Sequence, residues 1–370
     1  MKRYVIIGDG VAGVAAARAI RERDPAGTVT IFSDEDSPFY SRPLIVDVMT
    51  GMRREEEIIL LSVAGHRLEG FDLRLGATVE AIDGRDPAVV IDGERFPCDR
   101  LLIATGARAK LPFPAVEGVF PLRNLADARA ISVHLPRVRR AIVYGGGPIG
   151  MKAAHALLAK GIPVAVVVTS DRILSRVLDE RAAGIVEEAF LRRGAVFHFE
   201  REIVDTVING GLCAVVTDRG EEIPGQMAVI AKGVSPGCAA ARDAGIDVDA
   251  GIVVNEKMET SIAGIYAAGD VAQGPVAGGT ERAVVSLWHT GARQGRIAGA
   301  AMTGGDDRYE GAVSSNSMEF FGIRCVSMGV LAADGCEEVV SQEGGAYVRC
   351  LLRNGRLRGA SSTPAGRKRQ

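Results

Sequence analysis

An α/β chain with two strand–turn–helix units of the same design and a small α+β C-terminal domain is predicted by three observations. The first is an apolar run, Val5 to Ile7, followed by Gly8, Gly10 and Gly13 in the spacing G-x-G-x-x-G, then by a helical stretch from Val14 to Arg23. The second is the same order of parts from Ala141 to Lys160, with the glycines Gly145, Gly147 and Gly150. The third is a change of texture after Tyr309, where short β-type segments replace alternating strands and helices. Strand, glycine turn and helix together form the context in which this spacing carries meaning. The first glycine permits a tight turn, the second lets a pyrophosphate come against the backbone, and the third lets helix and strand pack closely. The helix N-terminus offers free N–H groups and the positive end of its dipole to the phosphate.

Composition narrows the partners. A length of 370 residues fits two or three domains. Lys and Arg number 44 against 46 Asp and Glu, so no net charge draws the chain to nucleic acid or an anionic membrane. The longest apolar runs, such as Ile162 to Val168, are strand-sized, and no membrane span is expected. The first strand begins at once, which carries no expectation of a secretory leader. The six cysteines, Cys98, Cys213, Cys238, Cys325, Cys336 and Cys350, form no C-x-x-C. They read as scattered reduced thiols of a cytoplasmic protein, with no metal or iron–sulfur site.

The elements follow in order. Val29 to Phe32 is the second strand, and Ser33-Asp34-Glu35 follows it. A nucleotide fold places an acid roughly 20 residues after the glycines to bind ribose hydroxyls. Asp34 is the first choice, Glu35 the second, and a plain polar turn fits the composition equally well. Ser37 to Leu44, with two prolines, two aromatics and Arg42, reads as a rigid binding loop. Short β-type stretches cover Leu73–Leu75, Thr78–Ile82 and Val89–Ile91, and Leu101 to Ile103 is a buried strand ending in Ala104-Thr105-Gly106. Ligands of open α/β sheets gather at such carboxyl ends. A proline-rich stretch, Pro112 to Leu125, marks a boundary. After the second glycine turn, Val164 to Val168 is a strand and Glu180 to Arg193 a helix. Lys232-Gly233-Val234-Ser235-Pro236 is another strand-end turn. Ile265 to Asp270 reads as a strand, a small-residue turn and an acid at a helix start, where Asp270 would be an N-cap or a ligand contact. Ser286 to Met302 is a helix. Asn354-Gly355, between two β-type segments, is a hairpin signal. The polar, basic end from Ser361 reads as disordered.

These motifs carry a resemblance. GDGVAG near the terminus, LLIATGA at 101–107, GGGPIG at 145–150, AKGVSP at 231–236 and GIYAAGDVA at 264–272 stand in one order. The chain resembles the FAD- and pyridine-nucleotide-dependent oxidoreductases of the glutathione-reductase superfamily over Lys2 to about Ala360. Within it the chain is most similar to the NADH:rubredoxin and ferredoxin reductases and the flavin module of nitrite reductases. The resemblance implies an FAD domain in two pieces, 1–111 and 247–308, an NAD(P) domain at 112–246, and a shortened interface domain at 309–370. It implies that Gly8, Gly10, Ala12 and Gly13 face the FAD pyrophosphate, and Asp34 or Glu35 the adenosine ribose. Val79 would touch adenine, Thr105 and Gly106 would line the cleft, and Asp270 would bind the ribitol or pyrophosphate. Arg42 and Pro43 would lie near the isoalloxazine. Gly145, Gly147, Pro148, Ile149, Gly150 and Gly233 would hold NAD(P)H.

The departures are informative. Disulfide reductases of the superfamily carry a cysteine pair after the opening helix; here the first cysteine is Cys98, and Arg42 stands where other relatives keep a single cysteine. Thiol catalysis at the flavin is therefore not expected. The glutamate usual two places after the last glycine of the second motif is Lys152, either a residue that tunes the flavin or a helix lysine reaching solvent. The strand-end acid of NAD binders falls at Val168, followed by Thr169, Ser170, Asp171 and Arg172. Asp171 would serve a ribose and Arg172 a 2′-phosphate, so NADH and NADPH both stay open, with the subgroup leaning to NADH. The resemblance implies an enzyme passing hydride from NAD(P)H to flavin N5 and then electrons to a small rubredoxin- or ferredoxin-like protein. It would act as a monomer or homodimer in the cytoplasm. The alternatives are the NADH-oxidising component of a nitrite-reductase-like assembly and an FAD/NADH redox-sensing binding protein.

Overall fold

The computed structural model describes residues 1–113, 116–278, 281–332, 334–344 and 346–363. The chain divides into two compact units, each assembled from separate stretches of sequence. One comprises Met1–Ser41, Ile58–Arg108 and Ser235–Val313; the other comprises Arg42–Glu57, Ala109–Val234 and the chain from Ser314. Part of the boundary expected at Pro112–Leu125, at residues 114 and 115, and the basic tail from residue 364 lie outside the described residues.

The first unit is built on a parallel sheet. Its strands run in the order Ile265–Ala267, Arg100–Ile103, β1 (Arg3–Ile7), β2 (Thr28–Phe32) and β3 (Phe71–Arg74). Ile6 sits opposite Ile31 on one side and Leu102 on the other. A parallel sheet covered on both faces demands continuous apolar strands. Accordingly Tyr4, Val5, Ile6 and Ile7 are all buried, together with Leu101, Leu102 and Ile103. Cutting Ile6 to alanine is expected to cost about 2–5 kcal/mol.

One face of the sheet carries helix α1 (Val11–Arg23), and the Trp288–Met302 helix lies against it. The approach is close because of glycine. A Cβ on Gly295 would overlap the backbone oxygen of Ala12, and one on Gly299 that of Ala16. Gly291, Gly295 and Gly299 recur at every fourth residue and so share one helix face. Thus the unit that opens the chain is completed by residues near position 300.

The second unit repeats the architecture. Its parallel sheet has the order Val196–Phe199, Val164–Val168, Ala141–Tyr144, Met227–Ile230, Val119–Pro121. The Pro148–Ala159 helix follows the central strand and begins with proline at its first position, where the missing N–H costs nothing. An antiparallel three-stranded sheet, Ile203–Ile208, Leu212–Thr217 and Glu222–Pro224, adds to this unit. So does a five-stranded antiparallel sheet in the order Ser315–Phe320, Ile323–Gly329, Arg356–Thr363, Ala346–Arg353, Glu337–Glu343. The hairpin expected at Asn354-Gly355 is present: both residues have positive φ, 52° and 69°, and Arg353 pairs with Arg356. The β pattern does not break at Ser361. The strand runs to Thr363, and Ser361 and Thr363 are buried. Their polar side chains hid the strand. The Ser361 hydroxyl and Tyr347 Oη, at 2.9 Å for the latter, both bond Asp179, the N-cap of the Glu180–Leu191 helix.

Candidate dinucleotide sites

The two glycine turns have matched geometry. Gly8 has φ +112° and Gly145 φ +129°, values that disfavour any side chain. A Cβ on Gly8 would collide with Ala104 O, and one on Gly145 with Ala231 O. A Cβ on Gly13 would strike Gly8 O, and one on Gly150 would strike Gly145 O. These four glycines are required by the protein's own packing. Gly10 and Gly147 differ: a Cβ on either meets no atom within 4 Å. Each is the extended N-cap of the following helix, and neither has a side-chain capping bond. Helix N–H groups without a side-chain cap, beside an open space that a Cβ would fill, fit a pyrophosphate at both turns.

Around the first turn, Gly8 N–H donates to Phe32 O at 2.7 Å, fixing the turn against β2. Asp34 is exposed, with Arg108 3.9 Å away. Glu35 is half-buried and accepts from Tyr40 Oη at 2.6 Å. Of the two acids, Asp34 keeps the greater solvent access, whereas Glu35 is held by its neighbour. Ala12 is buried against the Trp288–Met302 helix, and Val79 packs on the sheet core. Thr105 Oγ1 donates to Gly237 O at 3.0 Å, and Gly106 has φ +64°. Asp270 corrects an expectation: no helix begins there. It occupies a turn ahead of the strand Ala272–Pro275, and the next helix starts at Trp288. The preceding Gly269, at φ +83°, donates its N–H to Gln294 Oε1 at 2.9 Å. Arg42 and Pro43 form a short 3₁₀ turn, Arg42–Leu44, in the second unit, and Arg42 Nη1 donates to Arg123 O at 3.1 Å.

Around the second turn, Pro148 opens the helix and Ile149 is exposed. Val168 is buried at the strand end, and Thr169 follows it. Asp171 pairs with Arg172 Nη1 at 3.1 Å, so acid and base partly neutralise each other. Gly233 has φ +88°, and its carbonyl accepts from Lys110 N at 3.0 Å. Lys152 Nζ donates to Glu319 O at 3.1 Å and lies 5.4 Å from the Phe320 ring centroid.

All six cysteines are free. Burial pushes the Cys98 thiol up to about 12 and Cys325 up to about 11, so neither is a thiolate nucleophile near neutral pH. Among the described residues no His, Cys, Asp and Glu group could hold a metal ion, and no helix is long and apolar enough to cross a membrane.

Sequence reasoning missed two features. One is the stripe Gly291, Gly295, Gly299; its four-residue spacing was visible. The other is Asp9, between the first two glycines. Its side chain is buried and lies 2.8 Å from His66 Nε2 of the Val63–Leu68 helix. Nothing local in the sequence links positions 9 and 66.

Comparison with known proteins agrees with this geometry. A family profile described as pyridine nucleotide-disulphide oxidoreductase matches residues 2–295. The NAD(P)H nitrite reductase of Bacillus subtilis (strain 168) is 28% identical over 97% of this chain and 45% of its own length, so the chain spans about half of that relative. The ferredoxin–NAD(+) reductase component of the anthranilate 1,2-dioxygenase system of Burkholderia cepacia is 32% identical, over 83% of this chain and 77% of its own. The crystal structure of a ferredoxin reductase for the CYP199A2 system from Rhodopseudomonas palustris superposes with a TM-score of 0.91. It is 23% identical, with 98% of this chain and 91% of that one covered. At that identity the likeness shows the fold. The profile match over residues 2–295, which spans both glycine turns, places this chain in the pyridine nucleotide-disulphide oxidoreductase family.

Proposed function

We propose that the protein is an FAD-dependent NAD(P)H oxidoreductase that passes electrons to a small redox protein. The observation that carries the reading is the duplicated turn: at Gly10 and again at Gly147, each opening a helix, a Cβ would meet no atom within 4 Å, and a phosphate fits that open space. The first turn is assigned to FAD and the second to NAD(P)H. When bound, the two cofactors supply hydride transfer and its division into single electrons. The chain's residues position them. Gly8 and Gly13 shape the first turn, Gly10 admits the pyrophosphate, and Asp34 or Glu35 takes the ribose. Asp270, Thr105, Gly106, Val79, Arg42 and Pro43 complete the FAD assignment. Gly145, Gly147, Pro148, Ile149, Gly150, Gly233, Thr169, Asp171 and Arg172 complete the other. Lys152 is assigned to tuning the flavin, although its ammonium is engaged by Glu319 O. A rate enhancement through positioning alone needs no side-chain acid.

The free, scattered thiols support a cytoplasmic location. The deciding experiment is spectroscopic. Purified protein should bind stoichiometric FAD and lose its flavin absorbance anaerobically on adding NADH or NADPH, and a small iron protein should restore it. A colourless protein that takes up no FAD would overturn the reading. A second reading, the NADH-oxidising component of a nitrite-reductase-like assembly, is favoured by the match to the B. subtilis nitrite reductase along nearly the whole of this chain. Reoxidation only in the presence of a separate nitrite-reducing chain would support it.

A further inference from the structure

The buried pair Asp9–His66 has no part in the roles assigned so far. Its hydrogen bonds determine its protonation. His66 Nδ1 lies 2.9 Å from Ser62 O, a carbonyl that only accepts, so Nδ1 carries hydrogen. His66 Nε2 lies 2.8 Å from Asp9 Oδ1. A nitrogen lone pair facing a carboxylate oxygen at that distance is repulsive, so a proton lies between them, on one atom or the other. The pair as a unit holds one proton and no net charge. Both side chains are shut off from solvent, at 0% and 1% exposure, and Asp9 Oδ2 has no hydrogen-bond partner. Loss of the proton would leave a negative charge in the turn, next to Gly10, with the Phe39 backbone as its remaining stabilising contact and no cation paired to it.

We propose that Asp9 and His66 share a buried proton that holds the first glycine turn in its anion-accepting form, so that FAD is bound in a pH-dependent way and released as the proton is lost. This rests on the assignment of FAD to the first turn. Asp9 lies in the turn between Gly8 and Gly10, and His66 is fixed in turn by Ser62, which also caps the Val63–Leu68 helix by accepting from Gly65 N at 3.1 Å. The two are therefore positioning residues. The charged groups facing them come from three elements. Glu69, the C-cap of the same helix, is held bidentately by Arg18 of α1, at 2.8 and 2.7 Å. Glu35 follows β2 and accepts from Tyr40. The Phe71 ring, edge-on at 6.3 Å, supplies apolar cover. Burial pulls the His66 imidazole down, but the Asp9 carboxylate outweighs it and holds the proton above the usual histidine range. Burial likewise pushes the Asp9 carboxyl up. Both directions favour the protonated pair.

Linkage fixes the sign. Bound pyrophosphate favours the neutral pair, so FAD raises the pH at which the proton leaves, and deprotonation weakens FAD by the same factor. Apoprotein titrated with FAD by flavin fluorescence between pH 6 and 9 should show a Kd that rises with pH, approaching tenfold per unit in the transition. Asp9→Asn keeps a hydrogen bond to His66 without a titrating charge and should give a flat profile. A flat wild-type profile, or the same slope in Asp9→Asn, overturns the proposal. Should Asp9→Asn fail to fold, NMR of the wild-type His66 ring decides. The proton should leave at higher pH in the FAD complex than in the apoprotein, and coincident titrations would refute the coupling. Gly10→Val separates this failure from failure of the site assignment. If that variant takes up FAD as wild type does, the flavin lies elsewhere and the proposal falls with the assignment. If it loses FAD while the wild-type Kd ignores pH, the shared proton alone is refuted.

Discussion

Replacing Gly10 by valine isolates the space that defines the first site. Gly10 has φ −97° and ψ −176°, a conformation any residue adopts, and no atom lies within 4 Å of the new Cβ. The added Cβ therefore meets no clash, and the backbone of the apoprotein gains no strain. What is lost is an N-cap preference, and the cost should stay within about 1 kcal/mol. Under the proposed assignment the branched side chain takes the space of the pyrophosphate, and an expected loss of about 2.7 kcal/mol of binding is about 100-fold in Kd. At an FAD concentration 100 times the wild-type Kd, bound FAD stabilises the fold by about 2.7 kcal/mol, and a Kd weakened 100-fold should leave about 0.4 kcal/mol of that increment in the variant. Urea unfolding of apo and FAD-saturated protein measures both quantities. Gly147→Val is the matched control, leaving the FAD increment intact while removing that of NAD(P)H. If apo Gly10→Val were strongly destabilised, the space would not be open. If it kept the full FAD increment, the space would not be the cofactor's.

Other parts of the molecule carry expected outcomes of their own. Gly295→Leu should destabilise the apoprotein by about 3 kcal/mol or more, because its side chain must enter the backbone of Ala12, and urea unfolding checks it. Burial pushes the Asp179 carboxyl up, but bonds from Ser361, Ala182 N and Tyr347 outweigh it and hold the group below its usual range. Its stabilising effect is thus complete above the unfolded carboxylate value, about 3.9, and is lost as pH falls through the folded one. The urea midpoint of Asp179→Asn should accordingly converge on wild type in acid; a constant offset down to pH 3 would contradict this. Lys152→Glu should alter the rate of flavin reduction by NADH in stopped flow while FAD content stays stoichiometric. Equal rates would leave Lys152 as a tether to Glu319.

The parts of the fold legible in the sequence were those with local signals. Each glycine turn combines an apolar strand, a fixed spacing and a helix within some twenty residues, and Asn354-Gly355 needs only its two neighbours. The C-terminal strand Arg356–Thr363 was cut short because its last buried positions are Ser361 and Thr363, polar residues satisfied by partners far away in sequence. The helix start at Asp270 failed for the opposite reason. An acid after small residues has the composition of an N-cap, but Gly269 bonds Gln294 and the chain turns into a strand. The pair Asp9–His66 lay beyond any window, because contact between a turn and a helix some fifty residues later depends on sheet order.

The glycine stripe on the Trp288–Met302 helix sets a timetable for the growing chain. Ala12 and Ala16 leave the ribosome with α1, yet the surface that covers them arrives only with Gly295 and Gly299. At about 5–20 residues per second that is an interval of tens of seconds. Over the same period the strands from Val119 to Ile230 emerge together and can close their own sheet. Of the two parallel sheets, the one whose first strand is translated earlier is thus the later to become whole. Through that wait its half-built sheet shows bare apolar surface, the window in which a chaperone, or early FAD, has most to offer.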